Sequence, residues 1–420
     1  MKRIKTLLLI FAGSIMSAGA QEVTEIQVHD DIKNTDETIE LPEAMTYDTD
    51  SLLKEWNAQK YLFPDTTCTD PDFNPTFTPE EFKERLSRIP AVMEMPHNEI
   101  VQKFIDQYSG RLRRSVSYML GAGNLYIPIF EEALDFYGLP LELKYLPVIE
   151  SALDPSAVSH AGAVGLWQFM LATGKRYDLK VNSLVDERRD PIKSTWAAAR
   201  YLRDLYKIYG DWNLVIAAYN CGPGNINKAI HRAGGEKDYW VIYPYLPKET
   251  RGYVPAFIGA SYAYAYHRQH GIEPTEAPIP LSVDTVRINK LMHLGQISST
   301  IDLPIETLRQ LNPQYKLDII PATTKPYTLV LPQRYVMQYI AHEPEIHAKD
   351  SMYLKEYINP ANLDKKRQER SGSVYVVKKG DTLGAIARRY RVTTTQIMRW
   401  NKLKSAHKLR IGQRLRIEGR

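Results

Sequence analysis

Apolar residues recur at helical spacing through the middle of the chain. From Pro79 onward, apolar positions three and four residues apart predict a succession of helices. Gly- and Pro-containing breaks at residues 138–140, 154–155 and 190–191 separate them. The predicted helices cover residues 80–87, 98–108, 125–137, 166–177, 192–209, 212–219 and 249–267. This pattern indicates a mainly helical domain over residues 79–275, large enough to bury its own core.

Beyond Pro278 the pattern changes to short alternating strands that flank pairs of short helices. Residues 297–312 (ISSTIDLPIETLRQLN) and 386–401 (IARRYRVTTTQIMRWN) align in their apolar and Asn positions, which indicates an internal repeat. Each copy begins and ends in a strand-like stretch. We therefore predict βααβ modules at residues 280–335 and 373–418, joined by a linker at 336–372, and an α+β fold class overall.

The N-terminal 78 residues carry no helical periodicity. Basic residues at positions 2, 3 and 5, an apolar run ending at Ala12 and small residues up to Ala20 have the pattern of a secretory signal peptide. We expect residues 1–20 to be cleaved and the protein to be exported to the periplasm or cell envelope. Residues 21–78 are acid-rich and interrupted by Pro and Thr, which predicts an extended or partly ordered leader that contributes no chemistry.

Composition narrows the class of protein further. A chain of 420 residues with 44% hydrophobic and 25% charged residues is typical of several globular domains. No stretch approaches the length of a transmembrane helix. Neither Cys68 nor Cys221 directly follows the signal peptide, so we expect no lipid anchor. The sequence leaves open whether the two cysteines form a disulfide.

The tail from residue 373 is basic, but export argues against a nucleic-acid partner. The histidines lack metal-ligand spacing, so we expect no metal or cofactor, and we expect a monomer.

Four polar clusters lie at helix ends and turns of the helical domain. Glu150 ends an apolar segment (LPVIE), and apolar neighbours would raise its pKa toward the range of a general acid. Alone, this segment favours an ordinary solvent-exposed Glu. Three further clusters change the balance: GAVGLWQFM at 162–170, AAYNCGPGNI at 217–226 and ETRGYV at 249–254. Each by itself is explained by capping and turn chemistry, but packing alone does not require the whole set.

These clusters resemble a known family. The Glu-Ser, Gly-Leu-Trp-Gln, Ala-Tyr-Asn and Glu-Thr-Arg-x-Tyr-Val blocks occur in order at residues 150–151, 165–168, 218–220 and 249–254. In this the chain is similar to the lytic transglycosylases of the lysozyme-like superfamily, glycoside hydrolase family 23, and within it to the membrane-bound D type. The resemblance covers residues 82–271 and implies a lysozyme-like catalytic domain that cleaves peptidoglycan glycan strands.

The resemblance also implies the roles of individual residues. Glu150 is the single acid/base that cleaves the β-1,4 bond after N-acetylmuramic acid and leaves a 1,6-anhydromuramoyl end. The implied substrate-binding residues are Ser151, Gly165, Gln168, Tyr219, Asn220, Glu249 and Tyr253.

Two alternatives stay open at the level of sequence. A hydrolytic muramidase would place a second carboxylate near the acid, and the candidates are Asp154, Asp186, Glu187 and Asp190, which are equally well explained as turn or cap residues. A non-catalytic peptidoglycan-binding scaffold would keep the cleft but not the reaction; the intact set of polar residues argues against it.

The two repeats resemble LysM, a small βααβ glycan-binding module. Residues 375–417 match closely, with VKKGDTLGAIARRY and a late IGQRL, whereas residues 283–331 lack the Gly-Asp-Thr turn, so glycan binding by the first repeat is open. For the second repeat the resemblance implies a glycan-binding groove, although the same residues also suit turns and caps. The implied groove residues are Gly380, Asp381, Thr382, Leu383 and Asn401.

Overall fold

The structure is a computed structural model that describes residues 25–30, 35–46, 74–275, 280–354, 373–378, 381–390, 392–401 and parts of 403–417. It divides into two compact units. The first comprises residues up to 285 with 309–317 and 330–333, and the second comprises 286–308, 318–329 and the chain from 334. The predicted signal peptide, Cys68 and Gly380 lie outside the described residues.

The first unit is built almost entirely from helices. Among its described residues, no helix is long and apolar enough to cross a membrane, and the same holds for the rest of the described chain. Its elements are β1 (Glu25–Asp30), β2 (Thr35–Glu40), α1 (Glu43–Thr46), α2 (Pro79–Arg88), α3 (Glu99–Ser109), α4 (Arg113–Phe136), α5 (Leu146–Ser151), α6 (Leu171–Arg176), α7 (Pro191–Tyr209), α8 (Trp212–Cys221), α9 (Pro223–Arg232), α10 (Tyr239–Ile242), α11 (Lys248–Arg251) and α12 (Tyr253–Tyr266).

Helix α12 lies at the centre of this unit. Its sequence, YVPAFIGASYAYAY, is apolar on every face, and a helix of that kind is stable only when surrounded by other elements. It packs most extensively against α3, and a side chain at Gly259 would come within 3.1 Å of Phe104. The buried side chains of α12 therefore fix the position of its first residue, Tyr253.

Two predicted helices are interrupted in the structure, one by left-handed backbone conformations and the other at a closely packed glycine. Residues 166–177 were expected to be helical, but the helix begins only at Leu171, since Gly165 (φ +87°) and Gln168 (φ +44°) adopt left-handed conformations that a helix excludes. The helix expected over 249–267 is divided at Gly252, where a Cβ atom would lie 2.8 Å from the Glu40 carbonyl oxygen.

Part of the N-terminal segment packs against the helical unit. Strands β1 and β2 pair antiparallel, and Ile26, Val28 and Ile39 enter the hydrophobic core of that unit. Arg251 donates to Glu37 at 3.1 Å, with both side chains 17% exposed. An isolated two-stranded hairpin is marginal in water. Long-range packing therefore orders this segment, and such packing leaves no periodic signal in a short acid-rich sequence.

The first repeat and the C-terminal module follow the helical domain in the chain, and the second unit contains residues 286–308 and 318–329 of the first repeat together with the whole C-terminal module. As the sequence predicted, each repeat is a pair of short helices between paired strands, and with the helical domain this confirms the α+β class. The elements are β3 (Val283–Ile288), β4 (Met292–His293), α13 (Leu294–Ile301), α14 (Ile305–Leu311), β5 (Ile319–Ile320), β6 (Tyr327–Pro332), α15 (Gln333–Ala348), α16 (Asp350–Tyr353), β7 (Ser373–Val376), α17 (Leu383–Arg389), α18 (Thr394–Trp400) and β8 (Arg414–Ile417).

The region predicted to be a linker begins with structured chain. Helix α15 follows β6 directly, and Tyr339 and Ile346 on it are buried. Gln296 donates from Nε2 to the Ile346 carbonyl at 2.9 Å, which ties α15 to the first repeat. The prediction of a linker from residue 336 is therefore wrong up to residue 354, and residues 355–372 lie outside the described chain.

Candidate active site

A cleft of about 270 Å³ opens in the first unit at the ends of α5, α8 and α11. Most of the residues predicted for substrate contact converge on it, but Ser151 and Gly165 do not line it. The predicted residues that do line the cleft are Glu150, Gln168, Tyr219, Asn220, Glu249 and Tyr253.

Glu150 is the half-buried carboxyl at the end of α5. The pKa of Glu150 is raised to about 8, chiefly by burial. A hydrogen bond donated by the Tyr253 hydroxyl to Oε1 opposes the rise, and the carboxylates of Glu249 and Glu43 add to it. Near neutral pH the group is therefore mostly protonated and is able to donate a proton.

Tyr253 contacts the Glu150 carboxyl directly. It begins α12 and is only 2% exposed. Burial and the neighbouring Glu150 carboxylate raise the pKa of the Tyr253 hydroxyl well above its usual range. The hydroxyl consequently remains a hydrogen-bond donor throughout the physiological pH range, and it stabilises Glu150 most when Glu150 is ionised.

Gln168 lines the cleft and carries a buried acceptor. Its left-handed backbone conformation closes a tight turn, and its Nε2 donates to the Gly165 carbonyl at 2.8 Å. Its Oε1 is buried and has no hydrogen-bond partner among the described residues. Because a buried acceptor without a partner is costly, this atom is suited to receive an N–H group from a ligand.

Arg188 holds that turn in place, and sequence reasoning missed it. Its Nη1 donates to the carbonyls of Gly162 (3.3 Å) and Phe169 (3.1 Å), at the two ends of the turn. Asp186 accepts from its Nε and Nη2 at 2.9 and 2.8 Å, and the two side chains are 8% and 4% exposed. A Cβ on Gly165 would lie 2.0 Å from the Arg188 carbonyl oxygen, so Gly165 serves close backbone packing.

Ser151, Tyr219 and Asn220 connect the elements around the cleft. Ser151 is fully buried, and its hydroxyl lies 3.0 Å from both the Pro147 and Leu166 carbonyls. The sequence assigned Ser151 to the substrate, whereas the structure uses it to join α5 to the turn. The Tyr219 hydroxyl donates to the Trp167 carbonyl at 2.7 Å, and Asn220 Oδ1 accepts from Thr250 at 2.8 Å.

The four carboxylates considered for a second catalytic role have structural partners. Asp154 accepts from the Ser156 amide, Asp186 pairs with Arg188, Glu187 accepts from the Lys180 amide and from Lys193, and Asp190 caps α7. None of the four lines the cleft.

The cleft carboxylates other than Glu150 are Glu249 and Glu43. Burial raises the pKa of Glu249, and the charges of Glu40 and Glu43 raise it further. Glu43 was missed because it lies in the segment predicted to be an extended or partly ordered leader without chemistry. Among the described residues, no group of three or more His, Cys, Asp or Glu side chains is placed to hold a metal ion.

In the C-terminal module, the residues predicted to bind glycan form its turns, caps and core. Asp381 Oδ2 accepts from the Tyr375 hydroxyl (2.6 Å) and the Lys378 amide (2.7 Å), and these bonds lower its pKa. Thr382 caps α17, Leu383 is 2% exposed, and Asn401 donates to the Ile397 carbonyl at the end of α18. Glycan binding by these residues stays a prediction, and the Leu383 side chain faces the core.

Three family models match the chain. Residues 127–242 match the transglycosylase SLT domain, residues 282–348 match the LysM-like domain of lytic transglycosylase MltD, and residues 375–418 match the LysM domain. The matches at 282–348 and 375–418 coincide with the two repeats.

The chain is also similar to individual proteins. It is 33% identical over 285 residues to membrane-bound lytic murein transglycosylase D of Escherichia coli K12, a match that covers 66% of this chain and 60% of that protein. It therefore spans about 60% of that relative's length. It is 34% identical over 154 residues to membrane-bound lytic murein transglycosylase F of Maricaulis maris, covering 33% of this chain and 29% of the relative. The solved 70 kDa soluble lytic transglycosylase of Escherichia coli matches 37% of this chain and 26% of its own, with 27% identity and a TM-score of 0.29.

Proposed function

We propose that this chain, which carries a transglycosylase SLT domain followed by a LysM-like and a LysM domain, is a peptidoglycan lytic transglycosylase. It cleaves the β-1,4 bond between N-acetylmuramic acid and N-acetylglucosamine and leaves 1,6-anhydromuramoyl ends. The observation that carries the proposal is a carboxyl with a pKa near 8, at Glu150, in a cleft whose other polar groups suit a saccharide.

In the first step, protonated Glu150 donates its proton to the glycosidic oxygen as the bond to the leaving sugar breaks. The substrate's own N-acetyl oxygen stabilises the positive charge that develops at the anomeric carbon. Glu150 is left as a carboxylate, and the Tyr253 hydroxyl, which already donates to Oε1, stabilises that negative charge.

In the second step, the same carboxylate takes the proton from the C6 hydroxyl of the muramoyl residue. The C6 oxygen then bonds to the anomeric carbon, which closes the anhydro ring and returns Glu150 to its protonated form. One carboxyl therefore serves both steps, and no water enters the product. A pKa near 8 suits this double role because both the protonated and the ionised form of Glu150 are accessible near neutral pH.

The substrate contacts follow from the cleft. Gln168 Oε1, which lacks a partner among the described residues, accepts the N–H of an N-acetyl group. Tyr219, Asn220 and Glu249 line the walls and contact sugar hydroxyls and ring oxygens. Ser151 and Gly165 act indirectly, by holding the turn that carries Gln168.

A hydrolytic muramidase is the second candidate, and Glu249 in the cleft is the observation that favours it. A carboxylate there would activate a water molecule if it lay far enough from the acid. Digestion of purified sacculi followed by mass spectrometry separates the candidates. Anhydromuramoyl ends support the proposal, reducing ends support hydrolysis through Glu249, and absence of cleavage by the folded protein indicates a peptidoglycan-binding scaffold.

The C-terminal LysM domain is proposed to hold the enzyme on the cell wall. We propose a monomer, without cofactor, that acts in the periplasm or cell envelope after removal of residues 1–20. Deleting residues 373–420 should weaken co-sedimentation with sacculi while cleavage of short soluble glycans continues at the same rate. Equal loss of both would argue against a separate binding module.

A further inference from the structure

The N-terminal strap, defined as residues 35–46, is built into the wall of the catalytic unit. Ile39, Leu41 and Met45 are at most 4% exposed and belong to the hydrophobic core of the helices. Glu37 pairs with Arg251 in the ETRGYV cluster, and Arg111 donates to the Met45 carbonyl at 3.3 Å. The path of the strap is therefore fixed at several points along its length.

The strap reaches the cleft at Pro42 and Glu43. Glu43 Oε1 accepts from the His160 backbone amide at 2.9 Å and lies 2.7 Å from His160 Nδ1. His160 is part of the cleft loop, defined as residues 156–163, which contributes Ser159, Ala161 and Ala163 to the cleft lining. One carboxylate thus joins two chain segments that are far apart in sequence, at the rim of the substrate site.

Stability alone does not account for this contact. The His160 side chain is 93% exposed, and ion pairs with an exposed partner contribute little to the free energy of folding. The strap is already fixed by its apolar side chains and by Arg251. What the Glu43 contact determines is the position of the cleft loop relative to the strap, and hence the width of the cleft between them.

We propose that Glu43 is a positioning residue for glycan binding: it clasps the cleft loop through His160 so that the strap and the loop hold a glycan strand between them. The proposal rests on the proposed function for its substrate, but the clasp itself does not. A held loop pre-organises the cleft, so losing the clasp weakens substrate binding while the chemistry at Glu150 continues.

The test compares Glu43→Ala with Glu43→Gln, because Gln retains an oxygen that accepts from the His160 amide. For Glu43→Ala we expect KM for soluble glycan fragments to rise about tenfold with kcat little changed, since ground-state and transition-state binding weaken together. Glu43→Gln should restore most of the wild-type KM. Glu84→Gln is the matched control, because Glu84 forms an exposed ion pair with Arg88 on α2.

A second readout does not depend on activity. Backbone amide exchange in residues 156–163 should be faster in Glu43→Ala than in the wild type and close to the wild type in Glu43→Gln. Unchanged exchange together with unchanged KM would overturn the proposal. If the wild type fails to cleave peptidoglycan, the proposed function fails, while the exchange experiment still reports on the clasp.

Both Glu43 variants should also alter the pH profile of cleavage. The titratable groups among the described residues that line the cleft with Glu150 are Glu43, Tyr201, Tyr219, Glu249 and Tyr253. Removing the Glu43 charge lowers the pKa of Glu150, so the alkaline limb of the profile moves to lower pH. If Glu43→Ala instead detached the strap from the helical unit, KM would rise and kcat would fall together. Glu43→Gln would then not restore either value.

Discussion

The polar residues of the cleft around Glu150 and those of the C-terminal LysM domain differ in their burial and hydrogen bonding. In the cleft, Glu150 has a strongly raised pKa and Gln168 Oε1 is buried without a described partner. In the module, Asp381 and Thr382 are satisfied by backbone amides of their own turn and helix. A polar group with a shifted pKa or without a hydrogen-bond partner is available to a ligand. A polar group whose hydrogen bonds are all made within the protein stabilises the fold. The cleft is therefore the better-supported functional site of the two.

The largest expected effect is that of Glu150→Gln. Gln fills the same space and accepts the Tyr253 hydrogen bond but donates no proton, so cleavage of sacculi should fall about 10³-fold while folding is retained. Release of soluble fragments measures the loss, and thermal unfolding checks the fold. Substantial remaining cleavage activity would show that another residue is the general acid. The difference drawn between the cleft and the module would then no longer hold.

Arg188→Met tests whether the cleft depends on a buried charge pair. Removing one partner leaves Asp186 buried with its nearest remaining described ion-pair partner, Lys316, 3.9 Å away, and should lower the free energy of unfolding by about 3 kcal/mol. Arg200→Met is the matched control, because its pairing with the exposed Asp178 should contribute less than about 1 kcal/mol. Denaturation with urea measures both, and equal effects would contradict a special role for Arg188.

Tyr253→Phe isolates the hydrogen bond to the acid. Since that bond lowers the pKa of Glu150, its removal should raise the pKa and move the alkaline limb of the profile up by about one pH unit. The rate should fall about tenfold because the carboxylate formed in the first step loses its donor. The pH dependence of kcat/KM checks both effects, and an alkaline limb that stays in place would show that Tyr253 does not act on Glu150.

The smallest effect is expected in the module. Thr382→Ala removes the cap of α17 and should destabilise the module by about 1 kcal/mol without changing co-sedimentation with sacculi. Unfolding monitored at the module and a sedimentation assay measure the two quantities. Weaker co-sedimentation with sacculi at unchanged stability would show that Thr382 contacts glycan. The module would then, like the cleft, use a polar residue for ligand binding.

The two repeats show how far local patterns predict structure. In both, the sequence predicted the helix pair between strands, because apolar spacing, turn residues and caps act over a few residues. It failed where an element depends on distant partners. Helix α4 begins at Arg113, about twelve residues before the predicted start. Gly121, Gly123 and Pro128 have low helix propensity, and packing of the helix in the core outweighs that propensity.

By itself, the sequence determined the order of the helices and the repeat, and it singled out Glu150 and most of the polar side chains that line the cleft with it, since these depend on periodicity and on residue types at short spacing. Only the tertiary structure decided what those side chains do. It buried Glu150 enough to keep its proton, gave Ser151 and Gly165 supporting roles, and brought Glu43 from the N-terminal strap to His160. Burial and contact between distant segments set pKa values and hydrogen-bond partners, and neither is a property of neighbouring residues in the chain.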